Sequence, residues 1–270
     1  MRKRHGLVSV LVFLFLTICM IVSLFNTGFR RTFFSAGTTP ETLGLTVARE
    51  KGCFHCHGSF GGDGAPNPGI ADNVPAWQSF SSESMENEDE LIEWIMDGAP
   101  ARLLASETFL QKREEATITM PSYKKIIAPG ELKNLIAFYH AVSGTIRPDD
   151  EQVRRGLRTA REKGCFTCHG PGGRVDMINP FSVTGYIPAW NGPDYPKLVH
   201  NDEELRAWIL DGRNTRLEAK RFARWFLGRQ AIDMPAYRDQ LSEQELQDIM
   251  AYIKWLRKPD APDHKPRFSE

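Results

Sequence analysis

Two short segments of the chain bring thiols and an imidazole together at a spacing that does chemistry. They are Cys53-Phe54-His55-Cys56-His57 and Cys165-Phe166-Thr167-Cys168-His169. Both fit C-x-x-C-H, the attachment pattern for a covalent haem. Two thiols three residues apart on a helical turn reach the two vinyl groups of one porphyrin. The next residue, a histidine, then lies under the ring and ligates iron. A dithiol redox pair or half of a zinc site would use the same cysteine spacing. Two copies of the full motif argue against both, and each copy offers only two cysteines, too few for a tetrahedral thiolate site. Cys53, Cys56, Cys165 and Cys168 are therefore read as the covalent attachments of two haem c groups, with His57 and His169 as axial ligands. His55 fills a variable position inside its motif and is expected to face outward. No cysteine pair remains for a disulfide.

The sixth ligand of each iron is a methionine, a histidine or an open site. Met120 lies 63 residues after His57 and Met234 lies 65 after His169, each in a Met-Pro-x-Tyr context. The proline lacks an amide donor and fixes an extended backbone, which suits a loop that must hold a thioether rigidly. Met85, Met96, Met177 and Met250 have no counterpart at the repeat spacing and read as ordinary core or surface methionines. His264 has none either. His140 and His200 are the rival distal ligands.

The elements that must position these groups come as a repeat. Ala48-Arg49-Glu50-Lys51-Gly52-Cys53-Phe54 recurs as Ala160-Arg161-Glu162-Lys163-Gly164-Cys165-Phe166, at an offset of 112. Pro75-Ala76-Trp77 recurs as Pro188-Ala189-Trp190 at 113, and Trp94, Asp97-Gly98, Arg102 and Met120-Pro121 recur at 114. Each unit reads as helical. Helices are expected to start near Pro40 and Asp149, to cover 88–96 and 202–210 up to an Asp-Gly stop, and to close each unit over 132–142 and 246–256. No sustained alternation of period two is present, so no large sheet is expected. The reading is 39–145 and 150–258 as two domains, a linker near 144–150, and a proline-rich, charged tail over 259–270. Trp77 and Trp190 are either core aromatics or walls of a haem crevice. Arg102 and Arg216 are either solvated arginines or partners of haem propionates. Tyr139 and Tyr252 occupy matching places on the closing helices.

Arg2, Lys3 and Arg4 precede an uncharged stretch over 6–28, whose apolar centre is 7–25. A helix of that length, at ~1.5 Å per residue, would roughly cross a hydrocarbon core of ~30 Å. The expectation is a single-pass anchor over 1–28 in the cytoplasmic membrane, or else a signal peptide, with the rest of the chain on the periplasmic side. Cys19 then reads as a small membrane-buried apolar residue. Net charge is zero, but 32–146 carries −7 and 147–270 carries +2. Such a balance excludes a globally basic nucleic-acid binder. The segment holding Arg216, Lys220, Arg221, Phe222, Arg224, Trp225, Phe226 and Arg229 reads either as a solvated helix or as a docking face for a redox partner or for the first domain.

With the C-x-x-C-H on a first helix, Met-Pro about sixty residues later and a closing amphipathic helix, both repeats resemble class I cytochrome c domains, and the whole chain resembles membrane-anchored di-haem cytochromes c. The resemblance implies an all-α fold of two tandem cytochrome c domains after one N-terminal transmembrane helix. It implies axial pairs His57/Met120 and His169/Met234, and electron transfer as a subunit or partner of a respiratory complex rather than an enzyme acting on a small molecule at iron. A di-haem peroxidase is the alternative. Residues 101–117 and 215–232 are longer than a minimal member of that family needs.

Overall fold

The computed structural model describes residues 2–25, 37–69, 73–78 and 85–258, and within the first stretch the side chains of 11–22. The expected tail over 259–270 and His264 lie outside the described residues.

The N-terminal half carries α1 (Arg2–Phe25), α2 (Pro40–Glu50), α3 (Phe54–His57), α4 (Glu88–Asp97), α5 (Ala101–Leu104), α6 (Glu107–Glu115) and α7 (Pro129–Ser143). The C-terminal half carries α8 (Glu151–Glu162), α9 (Cys165–His169), α10 (Tyr195–Leu198), α11 (Asp202–Asp211), α12 (Thr215–Glu218), α13 (Arg221–Leu227) and α14 (Glu243–Leu256). The strand content among the described residues is one antiparallel ladder, β1 (Met177–Ile178) on β2 (Tyr186–Ile187), with Met177 opposite Ile187.

Local chemistry sets the helix ends twice over. Thr39 caps α2 through Thr42 N–H at 3.1 Å, and Asp150 caps α8 through Val153 N–H at 3.1 Å. Asn87 and Asn201 cap α4 and α11 in the same way, satisfying otherwise orphaned amides. Both of those helices end on a left-handed glycine, Gly98 (φ 84°) and Gly212 (φ 64°), where a side chain would be strained. At the closing helices Glu131 accepts from Ala128 N–H at 2.8 Å and Glu245 from Ser242 N–H at 2.7 Å.

In each half the first helix crosses the last: α2 packs on α7 and α8 on α14. The crossings are close because glycine sits at each. A Cβ on Gly44 would stand 2.0 Å from the Asn134 carbonyl oxygen, and one on Gly156 would stand 1.9 Å from that of Asp248. Around these crossings lie the cores, with Phe138 fully buried in one, and Leu246, Ile249 and Ile253 in the other.

The halves meet along a buried polar seam. Thr39 Oγ1 donates to the Arg174 carbonyl (2.9 Å), Asp176 N–H to Thr42 Oγ1 (2.8 Å) and Asn191 Nδ2 to Glu41 Oε1 (3.1 Å). The Arg174 guanidinium pairs with Glu41 at 3.5 Å. Val175, fully buried, belongs to the core of the N-terminal half although it follows the second cysteine motif.

The expected transmembrane helix is not found. A helix does form over Arg2–Phe25, but among the described residues no helix is long and apolar enough to cross a membrane. Its first turn holds the charged residues Arg2, Lys3 and Arg4. Cys19 is exposed on this helix.

Candidate functional site

The C-terminal half holds a cavity of about 310 Å³ whose walls include Cys165, Cys168, His169, Trp190 and Met234. α9 supplies the thiols and the imidazole from one wall. It follows Gly164, held left-handed at φ 74°, which turns the chain out of α8 so that the motif can start a new helix. Met234 arrives on the loop before α14. That loop is pinned to the end of α11 by Tyr237 N–H to the Ile209 carbonyl (3.2 Å) and Arg238 N–H to the Leu210 carbonyl (3.1 Å). A Cβ on Gly212 would lie 2.1 Å from the Met234 carbonyl oxygen, so the helix stop and the methionine loop fit only with glycine there.

His169 is half-buried with its Nδ1 enclosed, and this desolvation lowers its pKa to about 4, opposed by the nearby Pro188 carbonyl. It is therefore a neutral imidazole, the form that ligates metal. Trp190 packs on it with ring centroids 4.8 Å apart. Trp190 is itself seated against Gly173 (φ 70°), where a Cβ would come within 2.3 Å of the indole, and the Trp190 backbone N–H bonds the Gly173 carbonyl at 2.7 Å. Burial pushes the Cys165 thiol up to about 11. The neighbouring Tyr237 hydroxyl donates to the Lys163 carbonyl at 3.1 Å.

The N-terminal half repeats this arrangement. His57 Nδ1 stands 3.2 Å from the Pro75 carbonyl. A carbonyl only accepts, so that nitrogen carries the proton and Nε2 keeps its lone pair. Burial holds the His57 pKa below the usual imidazole range. Trp77 packs on His57 at 5.4 Å and would meet a Cβ on Gly61 at 2.4 Å. Tyr123 N–H bonds the Ile95 carbonyl (3.1 Å) and Lys124 N–H the Met96 carbonyl (3.2 Å), fixing the Met120 loop. Met120, Cys53 and Trp77 pack against one core. Lys51 donates to the Ile126 carbonyl and Lys163 to the Gln240 carbonyl, both at 2.7 Å, tying each motif to the start of its closing helix.

Other candidates fall elsewhere. Arg102 spends its guanidinium on Glu90 (2.7 and 3.0 Å) and Arg216 on Glu204 (2.6 and 3.0 Å), and neither lines the cavity. Trp208 lines it but gives its indole N–H to the Leu198 carbonyl at 3.1 Å. His140 is buried with Nδ1 2.7 Å from Thr145 and Nε2 2.9 Å from Glu88, so both nitrogens are engaged. His200 is exposed on the surface. Met85 and Met250 are core residues. The sequence reading missed the proline carbonyls that face the imidazoles, although Pro75 and Pro188 were repeat partners. It also missed the buried Tyr186 hydroxyl, which donates to Asp194 on the cavity wall; no repeat or motif marks that pair.

The Glu204–Arg216 pair gives a pH test. Arg216 holds the Glu204 carboxyl down to about 2, with lesser help from the His200 amide. A depressed carboxylate stabilises the fold above its unfolded pKa and loses that contribution as pH falls through its folded one. Acid titration of stability should thus show a larger loss between pH 4.5 and 2 for the native protein than for Glu204→Gln. Parallel curves would remove the pair from the stability account.

Residues 153–257 match the family model for cytochrome c. This part of the chain is a cytochrome c domain. No curated protein and no solved structure matches the chain. The family implies a covalently bound haem c and supports haem-based electron transfer. The residues present fit that group: two thiols, a neutral, half-buried imidazole and a thioether share the walls of one largely apolar cavity. The correspondence between the halves is in the chain's own residues, since the family match stops at the C-terminal half.

Proposed function

We propose that the chain carries two haem c groups, one on Cys53 and Cys56 and one on Cys165 and Cys168, and passes single electrons between protein partners on the exported side of the membrane. The observation that carries this reading is the pairing of each C-x-x-C-H helix with a clamped Met-Pro loop. It is seen at His169 and Met234 around one cavity, and at His57 and Met120 at the matching repeat positions. Bound haem c supplies a one-electron iron couple whose potential a methionine ligand raises. The protein's own part is to hold ligands still. The Pro75 carbonyl orients His57, and Trp77 and Trp190 wedge the imidazoles from the side. Backbone bonds to α4 and α11 hold the methionine loops. Ligands fixed in this way rearrange little on gain or loss of charge, which favours electron transfer over substrate binding at iron.

The test is a haem count by alkaline pyridine absorbance, combined with the weak far-red band of methionine-ligated ferric haem. Two haems per chain are expected, with Met120→Ala and Met234→Ala each removing half of the band. A single haem, or a band that one substitution removes entirely, would overturn the reading and restore a site open to peroxide.

A further inference from the structure

The helix α13 and the loop beside it present a basic, apolar patch at the rim of the cavity. Phe222 is 53% exposed, Trp225 43%, Phe181 51% and Ile178 67%. The patch is one surface. Ala231 N–H bonds the Pro180 carbonyl (2.9 Å), and Asn179 bonds Ile232 in both directions (2.9 Å each). Phe222 and Trp225 both pack on Phe226, at 5.0 and 4.7 Å. Arg229 lies over the Trp225 ring at 4.6 Å, and Lys220, Arg221 and Arg224 are exposed around it. Phe181 adds a separate sign. It is a non-glycine residue held at φ 64° with its ring half exposed. Apolar groups gathered this way mark interaction surfaces.

The N-terminal half carries the complementary face at the same place in the repeat. Residues 200–231 hold seven basic and five acidic groups, a net of +2, and 86–117 hold three basic and nine acidic groups, a net of −6. On that second face Glu86, Asp89, Glu107, Glu114 and Glu115 are exposed around Leu104 and Leu110, each 40% exposed. Trp94 packs on Phe109 at 6.1 Å and Glu93 accepts from Ala101 N–H at 2.6 Å, so α4, α5 and α6 form one surface. A chain of zero net charge adds no long-range repulsion between copies.

We propose that two copies of this chain associate, the α13 patch of one against the α4–α6 face of the other. Used reciprocally, the two contacts close a two-fold dimer in which each acidic face meets the other copy's basic one. The inference stands on surface charge and exposure and does not depend on the haem count.

Sedimentation of the full haem-loaded chain tests it, in mild detergent to suppress association through the exposed apolar α1. At low ionic strength a dimer is expected, dissociating as salt rises. Arg221→Glu with Arg224→Glu should weaken it at least tenfold, and so should Glu107→Arg with Glu114→Arg. Combining both reversals should restore it. A monomer at every salt concentration, including one that binds an unrelated acidic protein through α13, would overturn the proposal. So would a dimer that ignores both reversals.

Discussion

Gly156→Ala should destabilise the folded protein by about 3 kcal/mol or more, although alanine is the better helix former. Two effects oppose each other at this position. In an exposed helix the exchange gains about 1 kcal/mol. Here the new methyl would stand 1.9 Å from the Asp248 carbonyl oxygen and 3.0 Å from Tyr252 Cβ. The obstacle is backbone, so no side-chain rotation relieves it, and α8 must lift off α14. Overpacking of this kind costs about 1–3 kcal/mol and occasionally more, and the lost contact includes the fully buried Leu246, Ile249 and Ile253 layer. Gly130→Ala is the internal control, since nothing lies within 4 Å of a Cβ there; it should be neutral or gain about 0.5–1 kcal/mol. Denaturant unfolding of the two variants separates these cases. Equal stabilities would mean that the crossing is not as close as described.

Trp190→Ala should cost about 3–5 kcal/mol, the range for removing a large buried aromatic, and should disturb the His169 side of the cavity as well. The indole touches three aromatic neighbours: His169 at 4.8 Å, Phe166 at 5.8 Å and Tyr252 at 6.2 Å. The backbone bond from Trp190 N–H to Gly173 survives the substitution, so the loss is one of packing. Trp190→Phe should recover part of it. A loss below about 1 kcal/mol, or no difference between Ala and Phe, would show that Trp190 is not the wedge that holds the imidazole.

Most of the helices and the four axial candidates were legible because they rest on local rules. Asn and Asp caps, Asp-Gly stops and the proline after each methionine act over a few residues, and duplication printed each signal twice. What could not be read depends on residues far apart in the chain. The arginines after the Asp-Gly turns carry no sequence mark of their partners, Glu90 and Glu204, twelve residues earlier. The β1–β2 ladder is two residues deep, too short for a periodic signal. The seam joins Thr39, Glu41 and Thr42 to Arg174, Asp176 and Asn191, and no spacing rule reaches across more than a hundred residues. The anchor reading is not borne out: among the described residues no helix is long and apolar enough to cross a membrane.

Val175 fills the core of the half that precedes it, and this sets an order of events during synthesis. The N-terminal half ends at α7, yet its core closes only when a residue some thirty positions downstream has left the ribosome. At about 5–20 residues per second that interval lasts on the order of seconds. Throughout it the first cysteine motif is present on a nascent chain whose interior is unfinished. By the time the core can seal, Cys165 and Cys168 have also emerged. Both pairs of thiols are thus present on the chain before that core is complete.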